Sequence, residues 1–109
     1  MRNKVKQIQL RDVQDVLDII GGRWRGAICA SLCDCPKRFN ELKRDLGAIT
    51  SRTLSKELKF LEMNCLLTQE EKDGVIYYTG TPHGYSLEPV ILEIVKWGQK
   101  HRKIVLESL

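Results

Sequence analysis

Pro36-Lys37-Arg38-Phe39-Asn40-Glu41-Leu42-Lys43-Arg44-Asp45-Leu46-Gly47-Ala48-Ile49-Thr50-Ser51-Arg52-Thr53-Leu54-Ser55-Lys56-Glu57-Leu58-Lys59-Phe60-Leu61 is the stretch on which the fold turns. Phe39, Leu42 and Leu46 recur at helical spacing, and Gly47 supplies a residue free to take the left-handed conformation that ends a helix. A second helix starts at once. Thr50 is placed to cap its free amides, and Ile49 and Leu54 are placed to close a hydrophobic staple across the cap. Leu54, Leu58 and Leu61 make one inward stripe, which leaves Arg52, Ser55, Lys56 and Lys59 outside.

Outward from this pair the pattern continues. Leu10, Val13, Val16, Leu17 and Ile20 mark a first helix ending at Gly21-Gly22, and Trp24, Ile28 and Leu32 mark a second, closed by a turn around Cys33–Pro36. Beyond Asn64-Cys65 come two extended runs, Leu66–Lys72 and Val75–Gly80. Asp73-Gly74 joins them as a tight hairpin turn. Thr81 and Pro82 then predict the cap and first position of a long last helix with Leu87, Val90, Ile91, Ile94, Val95, Trp97, Ile104 and Val105 as its apolar residues.

Brace helix (38–46), glycine turn, capped reader helix (51–63) and hairpin (66–80) are, in that order, a winged helix-turn-helix. The fold class is mainly α with one small β-hairpin. Such a unit places the N-terminal half of its second helix against base edges in the major groove of double-stranded DNA. Ser51, Arg52, Thr53, Ser55 and Lys56 are the candidates for that role, because hydroxyls and a guanidinium fork match the donors and acceptors there. Lys59 is a phosphate candidate further along. Arg38 is a candidate phosphate clamp, and Lys72 at the hairpin tip would lie over the neighbouring minor groove or backbone.

The totals set bounds. A chain of 109 residues suits a single domain with a modest core. Eighteen basic against fourteen acidic residues give +4, too mild to prove nucleic-acid binding by itself. The N-terminal residues have no apolar stretch behind their positive charges, and no run approaches the ~18 apolar residues of a membrane span. A cytoplasmic protein with reduced thiols and no membrane contact is therefore expected. No paired acid and base, phosphate-binding glycine loop or activated nucleophile is apparent, so neither an enzyme nor a cofactor is expected.

The four cysteines bear on regulation. Cys33-Asp34-Cys35 has the spacing to hold a soft metal or metalloid between two thiolates, and Lys37 and Arg38 stand close enough in sequence to lower a thiol pKa. The plainer reading is a small core residue at Cys29 and turn fillers elsewhere, with no metal site. His83 and His101, the two histidines, are expected to be structural.

Ile20-Gly21-Gly22-Arg23-Trp24, Arg38-Phe39-Asn40-Glu41-Leu42, Leu54-Ser55-Lys56-Glu57-Leu58-Lys59-Phe60-Leu61-Glu62, Thr81-Pro82-His83-Gly84-Tyr85-Ser86-Leu87 and Trp97-Gly98 together resemble the HxlR-type transcriptional regulators. These are small winged helix-turn-helix proteins related to the MarR group. The resemblance implies a homodimer on a palindromic operator; helices 10–20 and 82–107 carry more apolar residues than a small core can bury and are expected to form the dimer contact, and the effector stays unknown. It also exposes three departures. Leu10-Arg11-Asp12-Val13 stands where many members carry a Cys-Pro pair that senses electrophiles or oxidants. The wing lacks the usual Val-Pro-Pro stretch. Cys35 and Cys65 stand where the family pattern has glycine, which would strain the backbone wherever a positive φ is required. A thiol- or metalloid-responsive repressor using Cys33 and Cys35 is the alternative on the same scaffold.

Overall fold

A computed structural model describes residues 7–109 of the chain; residues 1–6, including the charged N-terminal stretch, lie outside the described part. The elements are α1 (Gln7–Ile20), α2 (Arg25–Asp34), α3 (Phe39–Leu46), α4 (Ser51–Met63), β1 (Leu67–Lys72), β2 (Val75–Gly80), α5 (Pro82–Tyr85) and α6 (Glu88–Glu107). α2, α3 and α4 close around one core, in which Ile28, Leu42, Leu54 and Leu61 are fully buried. Cys29, Leu32, Ile49, Leu58, Leu66 and Leu67 complete it.

Both ends of α4 are built as local chemistry dictates. The Thr50 hydroxyl accepts the Thr53 amide at 3.1 Å, and Ile49 and Leu54 are both buried across that cap. At the other end Leu66 N–H donates to Leu61 O and Cys65 N–H to Glu62 O, both at 3.0 Å. That is a Schellman motif, with the buried pair Leu61 and Leu66 as its apolar contact. The motif needs a left-handed residue after the cap, and Cys65 takes it, with φ 66°. Of the two cysteines replacing glycine, only this one is strained: Cys35 is extended, at φ −169°. Gly47 has the expected positive φ of 80° after α3.

β1 and β2 pair antiparallel from Leu67↔Gly80 to Lys72↔Val75. Asp73 and Gly74 both have positive φ, as a two-residue hairpin turn requires. A third backbone contact joins the sheet: Lys37 and Tyr78 exchange hydrogen bonds at 2.9 and 2.7 Å. This ties the start of the helix-turn-helix to the wing, and one residue is too short a strand for sequence patterning to reveal.

The predicted last helix is two. Thr81 caps α5 as expected, accepting the Gly84 amide at 2.9 Å and donating to Cys65 O at 2.6 Å. Pro89 has no N–H to offer Tyr85 O, so the ladder cannot run through. Leu87 N–H instead reaches only to Gly84 O, at 3.1 Å, and α6 begins at Glu88. The break also lets Gly84 lie buried against the Leu66 carbonyl, where a Cβ would collide. Among the described residues no helix is long and apolar enough to cross a membrane.

Candidate nucleic-acid interface

Helix α4, the candidate reader, carries its polar residues on one stripe. Arg52, Lys56 and Lys59 follow one another at i, i+4 and i+7, flanked by Ser51 and Ser55, and all five are exposed. Leu54, Leu58 and Leu61, on the opposite side, are at most 3% exposed. The stripe is held out by the core, so the side chains on it are free to meet a ligand. Thr53 differs from its neighbours: it is half-buried, and the Thr50 hydroxyl donates to its Oγ1 at 3.0 Å. Its hydroxyl belongs to the helix cap as much as to the outer surface.

Arg38 sits immediately before α3, in extended conformation. Its backbone N–H donates to Glu41 Oε1 at 2.8 Å, and its guanidinium lies 3.5 Å from the same carboxylate. The hydrogen bonds from Arg38 hold the Glu41 pKa below the ordinary carboxylate value. A phosphate would therefore compete with Glu41 for this arginine. Arg38 also shares an open cleft of about 430 Å³ with Phe39, Asn40, Arg44, Val75 and Ile76, between α3 and the wing. Asn40 and Arg44 are additions to the sequence-derived set. Nothing but the folded juxtaposition of helix and hairpin brings them to the same edge as Arg38.

The wing is more acidic than a DNA-facing hairpin would need. Lys72 is exposed near the tip, but so are Glu70, Glu71 and Asp73. Three carboxylates against one ammonium leave the hairpin repelled by phosphate unless the chain turns those groups outward.

Lys37 is committed to structure. Its ammonium donates to Asp45 Oδ2 at 2.7 Å and to Ser31 Oγ at 3.0 Å, and lies 3.8 Å from Asp34. The hydrogen bond to Asp45 raises the Lys37 pKa and lowers that of Asp45. The activation that Lys37 could have lent a neighbouring thiol is absent at Cys33, where burial, and then the Glu88 carboxylate, push the thiol up. Cys29, deeper on the same helix, is pushed up to about 11 by burial and then by Cys33. Cys35 and Cys65 are exposed, and all four thiols are free. Among the described residues no three His, Cys, Asp or Glu side chains gather as a metal site would require, around Cys33 and Cys35 or elsewhere. His101 stacks on Trp97, centroids 4.9 Å apart.

Residues 19–105 match the HxlR-like helix-turn-helix family. The uncharacterized HTH-type transcriptional regulator YybR of Bacillus subtilis is 38% identical over 99 residues, covering 88% of this chain and 78% of its own. Among solved structures, the redox regulator HypR in its reduced form superposes with a TM-score of 0.80 at 37% identity, over 90% of this chain and 99% of that one. The reduced form of the transcriptional regulator YodB from B. subtilis follows at 0.75 and 29%, over 82% and 90%. A braced, capped and outward-facing reader helix beside a hairpin wing, in a chain this similar to HTH-type regulators, leaves one assignment: the protein belongs to the HxlR family of winged helix-turn-helix transcriptional regulators.

Proposed function

We propose that this regulator works in the cytoplasm as a non-enzymatic homodimer on a palindromic operator, reading each half-site with the first two turns of α4. The observation that carries the reading is the exposed stripe Arg52–Lys56–Lys59 with its leucines pinned to the core behind it. Arg52, Ser51, Ser55 and Lys56 face base edges, while Thr53 contributes through the cap. Lys59, Arg38 and Lys72 meet phosphates, and the α3–wing cleft with Arg44 guides the backbone. α1 and α6 supply the dimer contact, setting the two readers about 34–36 Å apart, one turn of duplex.

Selection of bound duplexes from a random pool tests this reading directly. A palindrome with half-sites one turn apart is the expected product. On that operator Arg52→Ala should lose about 1–3 kcal/mol of binding and relax specificity at one position. Lys59→Ala should weaken all sequences about equally and flatten the salt dependence. Operator affinity unchanged in both variants would remove the stripe from DNA recognition.

A thiol-responsive version of the same regulator is a second reading, favoured by likeness to structures of the redox regulator HypR. Of the pair Cys33 and Cys35, the exposed Cys35 is the thiol an oxidant would meet first. Loss of operator affinity on treatment with diamide, abolished by Cys35→Ser, supports it; affinity indifferent to diamide ends it.

A further inference from the structure

Arg25, at the start of α2, has no part in the interface above, yet it contacts two other helices at once. Its Nε donates to Glu57 Oε1 of α4 at 2.5 Å, and a terminal guanidinium nitrogen donates to the Asp18 carbonyl of α1 at 2.8 Å. The guanidinium plane also lies 3.5 Å from the centroid of the Phe60 ring, again on α4. The Asp18 carbonyl belongs to the last turn of α1, where helical carbonyls lack a partner in their own helix. The side chains of Arg25 and Glu57 are only 28% and 16% exposed, so this pair is less screened than one at the surface. Among the described residues it is the one ion pair that links α4 to another helix.

The position of this junction gives it meaning. Glu57 and Phe60 flank the reading stripe, Glu57 directly after Lys56 and Phe60 directly after Lys59. α1 leads from Arg25 toward an apolar surface, Leu10, Val13 and Leu17, that the subunit leaves exposed. A planar guanidinium with a fixed fork can hold a carbonyl, a carboxylate and a ring face together, which an ammonium cannot. We propose that Arg25 is a positioning residue: through Asp18 on one side and Glu57 and Phe60 on the other, it fixes the tilt of the reader helix relative to α1 and so matches the reader to half-site spacing. This rests on the proposed reading of α4 as the DNA reader and α1 as part of the dimer contact.

The test uses the full chain and three duplexes: the selected operator, the same operator with one base pair inserted between half-sites, and a single half-site. The insertion rotates one half-site by about 35° relative to the other, so a reader of fixed tilt must reject it. In Arg25→Ala and in Glu57→Gln, preference for the correct spacing over the shifted one should fall about threefold to thirtyfold, the range of residue-level coupling. Half-site affinity should stay as in wild type. Arg25→Lys, which keeps the charge and loses the fork, should keep the thermal stability yet still show reduced spacing preference. A mere loss of folded protein would instead lower binding to all three duplexes in step, and that result overturns the proposal. So does a spacing preference unchanged in Glu57→Gln, which can be read even where Arg25→Ala does not fold. If the wild type binds no duplex specifically, the DNA-reading assignment itself fails and takes this proposal with it.

Discussion

Cys65 shows how a single residue can sit against its own backbone. The Schellman motif that ends α4 demands a left-handed residue, and a side chain there meets a steric penalty that glycine avoids. Holding a non-glycine residue in that region costs about 1–3 kcal/mol, while glycine adds about 0.4–1 kcal/mol of unfolded-state entropy to be lost. Cys65→Gly should therefore stabilise the fold by about 1 kcal/mol, measured as a shift of the urea midpoint without change of slope. The thiols also differ in reach. Iodoacetamide at pH 8 should label the exposed Cys35 and Cys65 first, Cys33 more slowly, and Cys29 last, as followed by peptide mass spectrometry. The sign at Cys29 follows from burial. Its folded pKa, about 11, lies above the unfolded value, so the neutral thiol's contribution is whole below about pH 8.5. It is lost as pH rises through 11. Cys29→Ala should accordingly flatten the alkaline limb of the stability profile.

At the scale of elements, the parts legible in the sequence were those whose causes are local. Thr50, Ile49 and Leu54 announced the start of α4, Asp73-Gly74 the hairpin, and Thr81-Pro82 the start of α5, because caps and tight turns depend on a few adjacent residues. The Lys37–Tyr78 bridge and the Arg25–Glu57 pair join residues more than thirty positions apart, and periodicity carries no trace of them. The break before α6 was readable in Pro89, but the unbroken apolar spacing from Leu87 to Val95 masked it. The wing tests electrostatics at this scale. With Glu70, Glu71 and Asp73 against Lys72, the hairpin would oppose the phosphates that the proposed reading has it approach. Replacing both glutamates by glutamine should tighten operator binding several-fold at 50 mM salt, and the gain should shrink toward nothing at 0.5 M as screening shortens to about 4–5 Å. Equal affinities for the variant and wild type at low salt would place the wing clear of the duplex.

At the scale of the whole molecule, the subunit is larger in reach than its length warrants. Its radius of gyration is 16.2 Å, against about 13 Å for a compact chain of this size. The excess lies in helices that leave apolar residues uncovered: Leu10, Val13 and Leu17 on α1, and Val90, Ile94, Trp97 and Ile104 on α6, each more than 40% exposed. Along α6 the residues Val90, Ile94 and Trp97 form an open apolar strip edged by Glu93, Lys96 and Lys100. An apolar strip with a charged rim is the anatomy of an interface, and in the proposed homodimer a twofold mate would cover it with the same surface that it offers. None of these residues belongs to the core around Ile28, Leu42, Leu54 and Leu61, so the interface can be broken while each subunit stays folded. Ile94→Asp places a charge in the middle of that strip, where close packing against a mate would have to desolvate it. Sedimentation equilibrium should show a monomer, with helical circular dichroism close to wild type. Each monomer then engages one half-site, so the phosphates neutralised are halved and the slope of log affinity against log salt should fall to about half. Palindromic operator affinity should drop at least a hundredfold, with binding to an isolated half-site unchanged, because what is lost is the second reader held at high effective concentration. A variant that stays dimeric with the wild-type salt slope would place the contact elsewhere on the subunit and leave the exposed face of α6 without a role in reading DNA.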